Sequence, residues 1–310
     1  MRKTIDNTIL FLTILCAFLI ILNSTDIVYS VRFSIDIWLD DIFPSLFPFF
    51  IISYILLDLS FTTITNNFLG NFIYKLFKIK KDASFVLIMS ILSGFPSSAK
   101  YTKELYERNI INDKEATKLL TFTHFSNPIF ILYAIGISFI GDKKMGVIIL
   151  ISQYLANLLI GILFRDYYVS TNNKIKPLKT PRKPIGIILS NAIKNAIDTL
   201  FLILGSITIF LIITTLINKY VNLPVPFNII INGFFEMTQG VKSLKYAFIS
   251  KEIKTILAAA FISFGGLSVH LQVLSIISNT KIKYYPYLIS RIIHTFLAVV
   301  IVCILLKFLG

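Results

Sequence analysis

Long apolar runs separated by short polar loops make up most of the chain. Several runs approach or exceed the roughly 20 residues that an α-helix needs to cross about 30 Å of hydrocarbon. They cover residues 5–22, 42–59, 119–140, 145–164, 185–217 and 287–306. The runs are continuous and lack the two-residue alternation of a membrane β-strand. The pattern predicts an all-α polytopic membrane protein with roughly seven to nine membrane segments.

The composition supports this fold class and explains the net charge. Of 310 residues, 55% are hydrophobic and 15% charged, and 30 Lys and Arg against 16 Asp and Glu give +14. The basic residues stand in loops, where they orient a membrane protein and meet anionic headgroups of the lipid bilayer. No soluble basic segment carries interleaved aromatics, so nucleic-acid binding is not expected. Arg2 and Lys3 precede the first run, which lacks an Ala-x-Ala cleavage pattern, so we expect a retained helix with a cytoplasmic N-terminus.

The most basic loop, residues 165–184, divides the chain. It holds six Lys and Arg against one acid, Asp166, together with three prolines. These features predict a cytoplasmic linker. We therefore expect an N-terminal transmembrane helix at 1–30, a first gate-type repeat with a connecting helix at 31–164, and a second gate-type repeat at 185–310.

An apolar segment at 83–99 lies between two further basic stretches, at 75–81 and 100–118. If both stretches face the cytoplasm, the segment enters and leaves the membrane on the same side. Ser93-Gly94-Phe95-Pro96 at its end is typical of a helix broken at membrane depth, which is tolerated only next to protein or a water-filled cavity. The alternative is a short turn outside the membrane after an ordinary span.

An internal repeat links the two halves. A shift of 139 positions aligns Gly94-Phe95 with Gly233-Phe234, and Phe122-x-x-Phe125 with Phe261-x-x-Phe264. The second long segment of each repeat is interrupted as well, at Ser126-Asn127-Pro128 and at Gly265-Gly266. Counting crossings gives the two repeats opposite orientations. Paired broken segments in inverted repeats indicate a secondary transporter with a site near the midplane; the alternative is an inert bundle with proline kinks and glycine contacts.

Polar residues inside the apolar segments form four clusters, one at each interruption. Such side chains are costly in a membrane unless they face a cavity or a partner. Because a helix N-terminus carries partial positive charge and unpaired donors, paired half-helices favour a carboxylate or another anion. The candidate substrate-binding residues are Gly94, Pro96, Ser97, Ser98, Lys100, Thr123, Ser126, Asn127, Glu236, Thr238, Gln239, Gly265, Gly266, Ser268, Gln272 and Arg291.

The sequence allows more than one role for Glu236. It suits a hydrogen bond to substrate, a coupling ion such as H⁺ or Na⁺, or a position near the membrane surface beside Lys242 and Lys245. The three histidines lack metal-ligand spacing, and no Walker A loop, HExxH or Gly-x-Ser-x-Gly motif occurs. We therefore expect no metal, no cofactor and no enzymatic activity. A homo-oligomer is compatible with the sequence.

Several stretches together resemble the sporulation integral membrane protein YlbJ family, also called SpoVV, in the nucleoside-recognition or gate-domain group related to concentrative nucleoside transporters. The most specific is FGGLSVHLQVL at 264–274; the others are FPSLFPF at 43–49, SGFP at 93–96 with AK at 99–100 and LYE at 105–107, FFEMTQG at 234–240, and YPYLISR at 285–291. The chain departs from the family pattern at Ser98, where the pattern has Gly, and at Ser126-Asn127-Pro128, where it has Ser-Gly-Pro.

The resemblance implies a role in endospore formation, with dipicolinic acid carried across the outer forespore membrane. Dipicolinate is a flat pyridine dicarboxylate, so it agrees with the organic anion that the residues favour. The identity of the anion comes from the resemblance alone. A nucleoside transporter, in which Glu236, Gln239 and Asn127 hydrogen-bond ribose and base, and a non-transporting structural or assembly protein of the spore membrane remain as alternatives.

Overall fold

The computed structural model describes residues 2–59, 61–169 and 184–309, and these residues form helices and short loops without a strand. Most of the linker at 165–184 lies outside the described residues. The helices are α1 (Arg2–Leu22), α2 (Ser24–Ile37), a π-helical turn (Trp38–Ile42), α3 (Phe43–Asp58), α4 (Phe61–Phe77), a 3₁₀ turn (Lys81–Ala83), α5 (Ser84–Ser93), α6 (Ser97–Glu107), α7 (Asp113–Phe122), a π-helix (Phe130–Ile140), α8 (Lys143–Leu163), α9 (Ile185–Tyr220), α10 (Val225–Phe235), α11 (Met237–Lys245), α12 (Lys251–Phe264), α13 (Gly266–Ile277) and α14 (Tyr285–Leu309).

The helices confirm the polytopic membrane class. Within the described residues, five helical stretches are long and apolar enough to cross a membrane: Ser24–Asp58, Lys143–Leu163, Ile185–Tyr220, Lys251–Ile277 and Tyr285–Phe308. The span expected to begin at residue 42 begins at Ser24, because α2 continues through the π-helical turn into α3. The polar residues of α2 shorten the apolar run without ending the helix.

One end of the molecule, which we call the linker rim, is formed by residues 78–82, 108–118, 165–169 and 283. The Lys80 ammonium donates to the carbonyl of Ile110 at 2.5 Å. The ammonium of Lys118 donates to the carbonyls of Arg165 and Tyr168, both at 2.6 Å. The backbone N–H of Lys283 donates to the Thr117 hydroxyl at 3.0 Å, which brings the loop before α14 to this rim. These contacts hold the ends of four membrane segments together at the same end of the molecule.

The other end, which we call the opposite rim, is formed by residues 23–26, 142, 219–228 and 243–254. Lys219 pairs with Asp26 at 2.5 Å, and Lys251 pairs with Asp142 at 3.3 Å. Asp142 also caps α8 by accepting the backbone N–H of Lys144 at 2.9 Å. That hydrogen bond, more than the contact with Lys251, holds the pKa of the Asp142 carboxyl below its usual range, so the carboxylate stays charged for its pairing across the rim.

Two re-entrant hairpins enter from these opposite ends. The first, α5 and α6, begins after Asp82 and ends at Arg108, both on the linker rim, where Arg108 pairs with Asp58 at 2.7 Å. The second, α10 and α11, begins after Tyr220 and ends at Lys245, both on the opposite rim. The segment at 83–99 is therefore re-entrant, and the two repeats are inverted.

Reciprocal packing between the repeats shows an approximate twofold relation. Helix α6 packs against α13, and its counterpart α11 packs against the π-helix, the counterpart of α13. Helix α7 packs against α14 in the same way that α12 packs against α8. A contact that recurs with the partners exchanged is the mark of a twofold axis. The axis passes between the two hairpins.

One of the predicted helix breaks, at Gly233-Phe234, is wrong. Gly94 and Pro96 do separate α5 from α6, but Gly233-Phe234 does not break the second hairpin, because α10 continues to Phe235 and the break falls at Glu236. A Cβ on Gly233 would lie 2.5 Å from the ring of Phe261, and one on Gly240 would lie 2.2 Å from the Cα of Gly233. Gly233 therefore allows close packing between the two arms of the hairpin and α12.

Thiol labelling tests the inverted arrangement. In a background with Cys16→Ala and Cys303→Ala, we expect Lys103→Cys and Lys245→Cys to react with a membrane-impermeant maleimide from opposite sides of sealed vesicles, because they lie in arms of oppositely inserted hairpins. If the linker rim faces the cytoplasm, as its basic residues predict, Lys103→Cys reacts from the cytoplasmic side. Reaction of both positions from the same side would contradict the inversion.

Candidate functional site

Residues from all four interrupted helices line one cavity between the two repeats. Its walls include Phe95 from the first hairpin, Asn127 from the break after α7, Glu236 and Thr238 from the second hairpin, and Gln272 from α13. Ser45 at the start of α3 lines the same cavity. The free volume is about 40 Å³, enough for a few water molecules and too small for an organic substrate. The cavity in this structure therefore has no room for such a substrate.

Glycines allow the hairpin breaks to press against the breaks in the neighbouring helices. A Cβ on Gly94, at φ +76°, would lie 2.7 Å from the backbone nitrogen of Asn127. A Cβ on Gly266, at φ +67°, would lie 2.9 Å from the backbone nitrogen of Met237. Both glycines combine left-handed backbone with a close approach that a side chain would block. Each repeat thus has one contact in which two interrupted backbones touch.

Asn127 satisfies the backbone groups freed by the first pair of breaks. Its Oδ1 accepts the N–H groups of Ile129 and Phe130, at 2.8 and 3.2 Å, and so caps the helix that begins at Pro128 and continues as the π-helix. Its Nδ2 donates to the carbonyl of Leu92 near the end of α5 at 2.8 Å. The sequence predicted free donors at this helix start, but two of them are occupied by the Asn127 side chain.

Glu236 has the corresponding role in the second hairpin. Its side chain is 1% exposed, and its Oε2 accepts the backbone N–H of Gln239 at 2.6 Å, which caps α11. The hydroxyls of Thr238 and Ser268 approach the same carboxyl, although neither makes a hydrogen bond of normal geometry. Glu236 is therefore buried within the protein, at the wall of the cavity. A carboxyl of the protein itself lies at the helix N-terminus that the sequence predicts for an anion.

Three other predicted residues bind neighbouring helices. The ammonium of Lys100 donates to the carbonyl of Asn195 at 3.0 Å and to the hydroxyl of Thr199 at 2.7 Å, so it faces α9 and is not brought to the cavity. Gln239 accepts the Thr214 hydroxyl at 2.8 Å. Gln272 lines the cavity and donates to the Ser206 hydroxyl at 2.7 Å. Helix α9 thus holds one side of both hairpins.

The small residues of the candidate set shape the breaks. Ser97 donates to the carbonyl of Gly94, and the Thr123 hydroxyl to that of Leu119 at 2.8 Å. Ser98 and Ser126 are buried, and Pro96 lines the cavity. Gly265, at φ +89°, ends α12 in the left-handed region. These residues fix the backbone at the interruptions, and of them the Ser126 hydroxyl has no hydrogen-bond partner.

Arg291 lies behind the cavity in an unusual environment. The side chain is fully buried in α14; its Nη2 donates to the carbonyl of Thr121 at 2.6 Å, and its Nε and Nη1 have no partner. Among the described residues, no carboxylate lies within ion-pair distance of it. The cation stands 5.6 Å from the ring of Tyr287, whose hydroxyl meets His124, and His124 stacks on Phe95 at 4.4 Å. Aromatic rings therefore connect an uncompensated cation to the cavity wall.

Two polar residues of this region were not among the predicted site residues. Gln153 of α8 donates to the Ser263 hydroxyl at 2.6 Å, and Asn157, one turn later, donates to the carbonyl of His124 at 2.9 Å. Asn157 also accepts from Arg291 at 3.4 Å. Their signal in the sequence is a pair of amides four residues apart inside the apolar run 145–164. They tie α8 to the breaks of both repeats.

Alanine at the contact glycines tests how tightly the breaks are packed. We expect Gly94→Ala and Gly266→Ala each to destabilise the protein by about 2 kcal/mol or more, since each adds a clash with backbone in a left-handed conformation. Gly205→Ala is the control, because a Cβ there meets nothing within 4 Å; it should be neutral or stabilise the helix by up to about 1 kcal/mol. Thermal unfolding in detergent measures all three. Equal melting temperatures for the three variants would contradict the close contact.

Comparison with known proteins gives one relative to report. The chain is 30% identical over 309 aligned positions to the sporulation integral membrane protein YlbJ of Bacillus subtilis (strain 168), and the match covers 88% of this chain and 76% of that protein. No family model and no solved structure matches the chain. The similarity covers most of both proteins.

Proposed function

This chain belongs to the YlbJ family of sporulation integral membrane proteins, and we propose that it is a secondary transporter or facilitator of a small organic anion. The proposed substrate is dipicolinic acid, moved across the outer forespore membrane with the linker rim and the N-terminus in the cytoplasm. The observation that carries the proposal is the meeting of four interrupted helices, from two inverted repeats, at one buried cavity.

The free-energy cost of interrupting four membrane helices favours transport over a structural role. An inert bundle gains nothing from interrupting four membrane helices, because each interruption leaves backbone groups that must be satisfied in a medium without water. Inverted hairpins that reach the middle from opposite rims give a site two potential exits. Alternating access needs only that each hairpin move in turn against the rest of the protein. The closed cavity would then be an intermediate between the two open forms.

The preference for an anion rests on charge. Arg291 is a buried cation with two unpartnered nitrogens and no acid beside it among the described residues. Buried charges in membrane segments are paired or functional. A substrate carboxylate would supply the missing partner after the hairpins open. The stacked rings of Phe95 and His124 offer a flat apolar surface for a pyridine ring.

Glu236 would oppose a dianion unless its charge is removed. Two like charges in a low-dielectric cavity repel each other by several kcal/mol. We therefore propose that Glu236 takes up a proton when the dicarboxylate binds, which makes H⁺ the coupling ion. A protonated carboxyl still offers an oxygen to the N–H of Gln239, so α11 keeps its cap.

Uptake by proteoliposomes tests the proposal. We expect protein-dependent uptake of dipicolinate, competed by unlabelled dipicolinate and not by uridine. Arg291→Gln should lower uptake by about tenfold or more because it removes the partner of a carboxylate, while Arg32→Gln, an exposed arginine of α2, should leave uptake unchanged. Thermal unfolding of Arg291→Gln, with Arg291→Lys as the charge-preserving variant, separates lost transport from lost folding. Absence of uptake under every ion gradient would sink the proposal.

A nucleoside carrier is the second candidate, because Glu236, Asn127 and Gln272 line the cavity with hydrogen-bonding groups suited to ribose and base. Glu236→Gln separates the two substrates in the same assay. Loss of a negative charge should strengthen dicarboxylate binding and weaken nucleoside binding, since it removes repulsion in one case and an acceptor in the other. A non-transporting assembly protein would show neither effect and no uptake.

A further inference from the structure

Helix α4 lies along the linker rim. It follows Asp58, which pairs with Arg108, and it precedes Lys78, which pairs with Asp166 at 2.5 Å. In its middle, Asn66 donates to the carboxylate of Asp82 at 3.1 Å. A 17-residue helix is about 25 Å long, yet its beginning, middle and end all contact the same rim. The helix therefore runs parallel to the membrane surface.

The face that α4 turns away from the protein is amphipathic. Ile64, Phe68 and Phe72, four residues apart, form an apolar stripe and are 61%, 83% and 56% exposed. The opposite face is buried against the protein through Ile73 and Phe77. The polar exposed residues, which follow the apolar stripe around the helix, are Thr63, Asn67, Asn71 and Tyr74. A surface helix with this division lies at the boundary between acyl chains and headgroups.

A cationic cavity lies next to the polar part of this face. It has a volume of about 400 Å³ and is lined by Lys75, Lys80 and Lys81 with Asn71 and Tyr74. Its one lining acid, Asp82, is engaged by Asn66. The Lys80 ammonium donates to the carbonyl of Ile110, whereas Lys75 and Lys81 are exposed. Positive charge thus exceeds negative charge in a cavity at headgroup level.

We propose that α4 and this lysine cavity bind an anionic phospholipid. The headgroup phosphate lies in the cavity against Lys75 and Lys81, with Asn71 and Tyr74 as further donors, and the acyl chains run along Ile64, Phe68 and Phe72. Juxtamembrane lysines attract anionic lipid, and the exposed aromatic stripe adds apolar contact. The lysine cavity and the adjacent apolar stripe together favour a lipid over a free phosphate, because a soluble ion would not contact the stripe.

Lipid binding to the full-length protein in detergent tests this assignment. The readouts are the thermal shift and the number of retained lipids by native mass spectrometry, with dioleoylphosphatidylglycerol compared with dioleoylphosphatidylcholine. We expect wild type to prefer the anionic lipid, and Lys75→Gln with Lys81→Gln to lower that preference at least about fivefold. The matched control is Lys281→Gln with Lys283→Gln, which removes two exposed lysines near the same rim outside the cavity; its preference should stay within about twofold of wild type.

Two further measurements complete the test. Phe68→Ser should weaken both lipids and leave their ratio unchanged, because it removes apolar contact alone. Inorganic phosphate without lipid should give no thermal shift. The assignment is overturned if the cavity variant keeps the wild-type preference, if the control variant loses as much as the cavity variant, or if phosphate stabilises the protein as well as the lipid does.

Discussion

An interrupted backbone inside a membrane must find its hydrogen-bond partners within the protein. The part of this chain that the structure describes contains four such interruptions, and the surrounding helices supply partners for them. Gly94 brings the first hairpin onto the backbone of Asn127, and Gly266 brings α13 onto the backbone of the second hairpin. Asn127 and Glu236 then cap two of the four half-helices. Each break is thus supported by the neighbouring break of its own repeat, and the two hairpins reach the middle from opposite rims.

Polar side chains without a hydrogen-bond partner lie close to the same breaks. Side chains cap two of the four half-helix starts at the breaks, and several nearby side-chain atoms have no hydrogen-bond partner: the hydroxyls of Ser126, Thr238 and Ser268, and two nitrogens of Arg291. Buried groups of this kind cost about 1–3 kcal/mol each when they have no partner. A substrate that supplies those partners would recover this free energy on binding, and the glycine contacts are where the hairpins would separate to admit it.

Much of this architecture follows from the sequence. Polar residues inside apolar runs located three of the breaks, and the basic stretches on both sides of residues 83–99 predicted the re-entrant hairpin. The fourth break was predicted at Gly233-Phe234 because these residues are identical to Gly94-Phe95. That position was wrong, since Gly233 packs against Phe261 inside a continuous helix. A glycine that breaks a helix and one that allows close packing are not distinguished by spacing.

The direction in which a side chain points was the second feature that the sequence did not predict. Lys100 sits in the first polar cluster, yet a helix places its long side chain toward α9 and away from the cavity. Two further polar residues near the breaks, Asn157 and Gln153, belong to a membrane span without an interruption. Their polarity was therefore the only feature of the sequence that indicated a role near the breaks. The course of α4 along the rim also depends on its contacts with Asp82 and Phe122, which no local pattern reveals.

We propose that the four interrupted helices enclose a substrate site that opens in turn to each side of the membrane. Thiol accessibility of a cavity position in proteoliposomes tests it most directly, with Thr238→Cys in a background lacking Cys16 and Cys303. We expect slow labelling from both sides of the membrane and protection from both sides by dipicolinate. A thiol that never reacts from either side, or that reacts equally with and without dipicolinate, would contradict it.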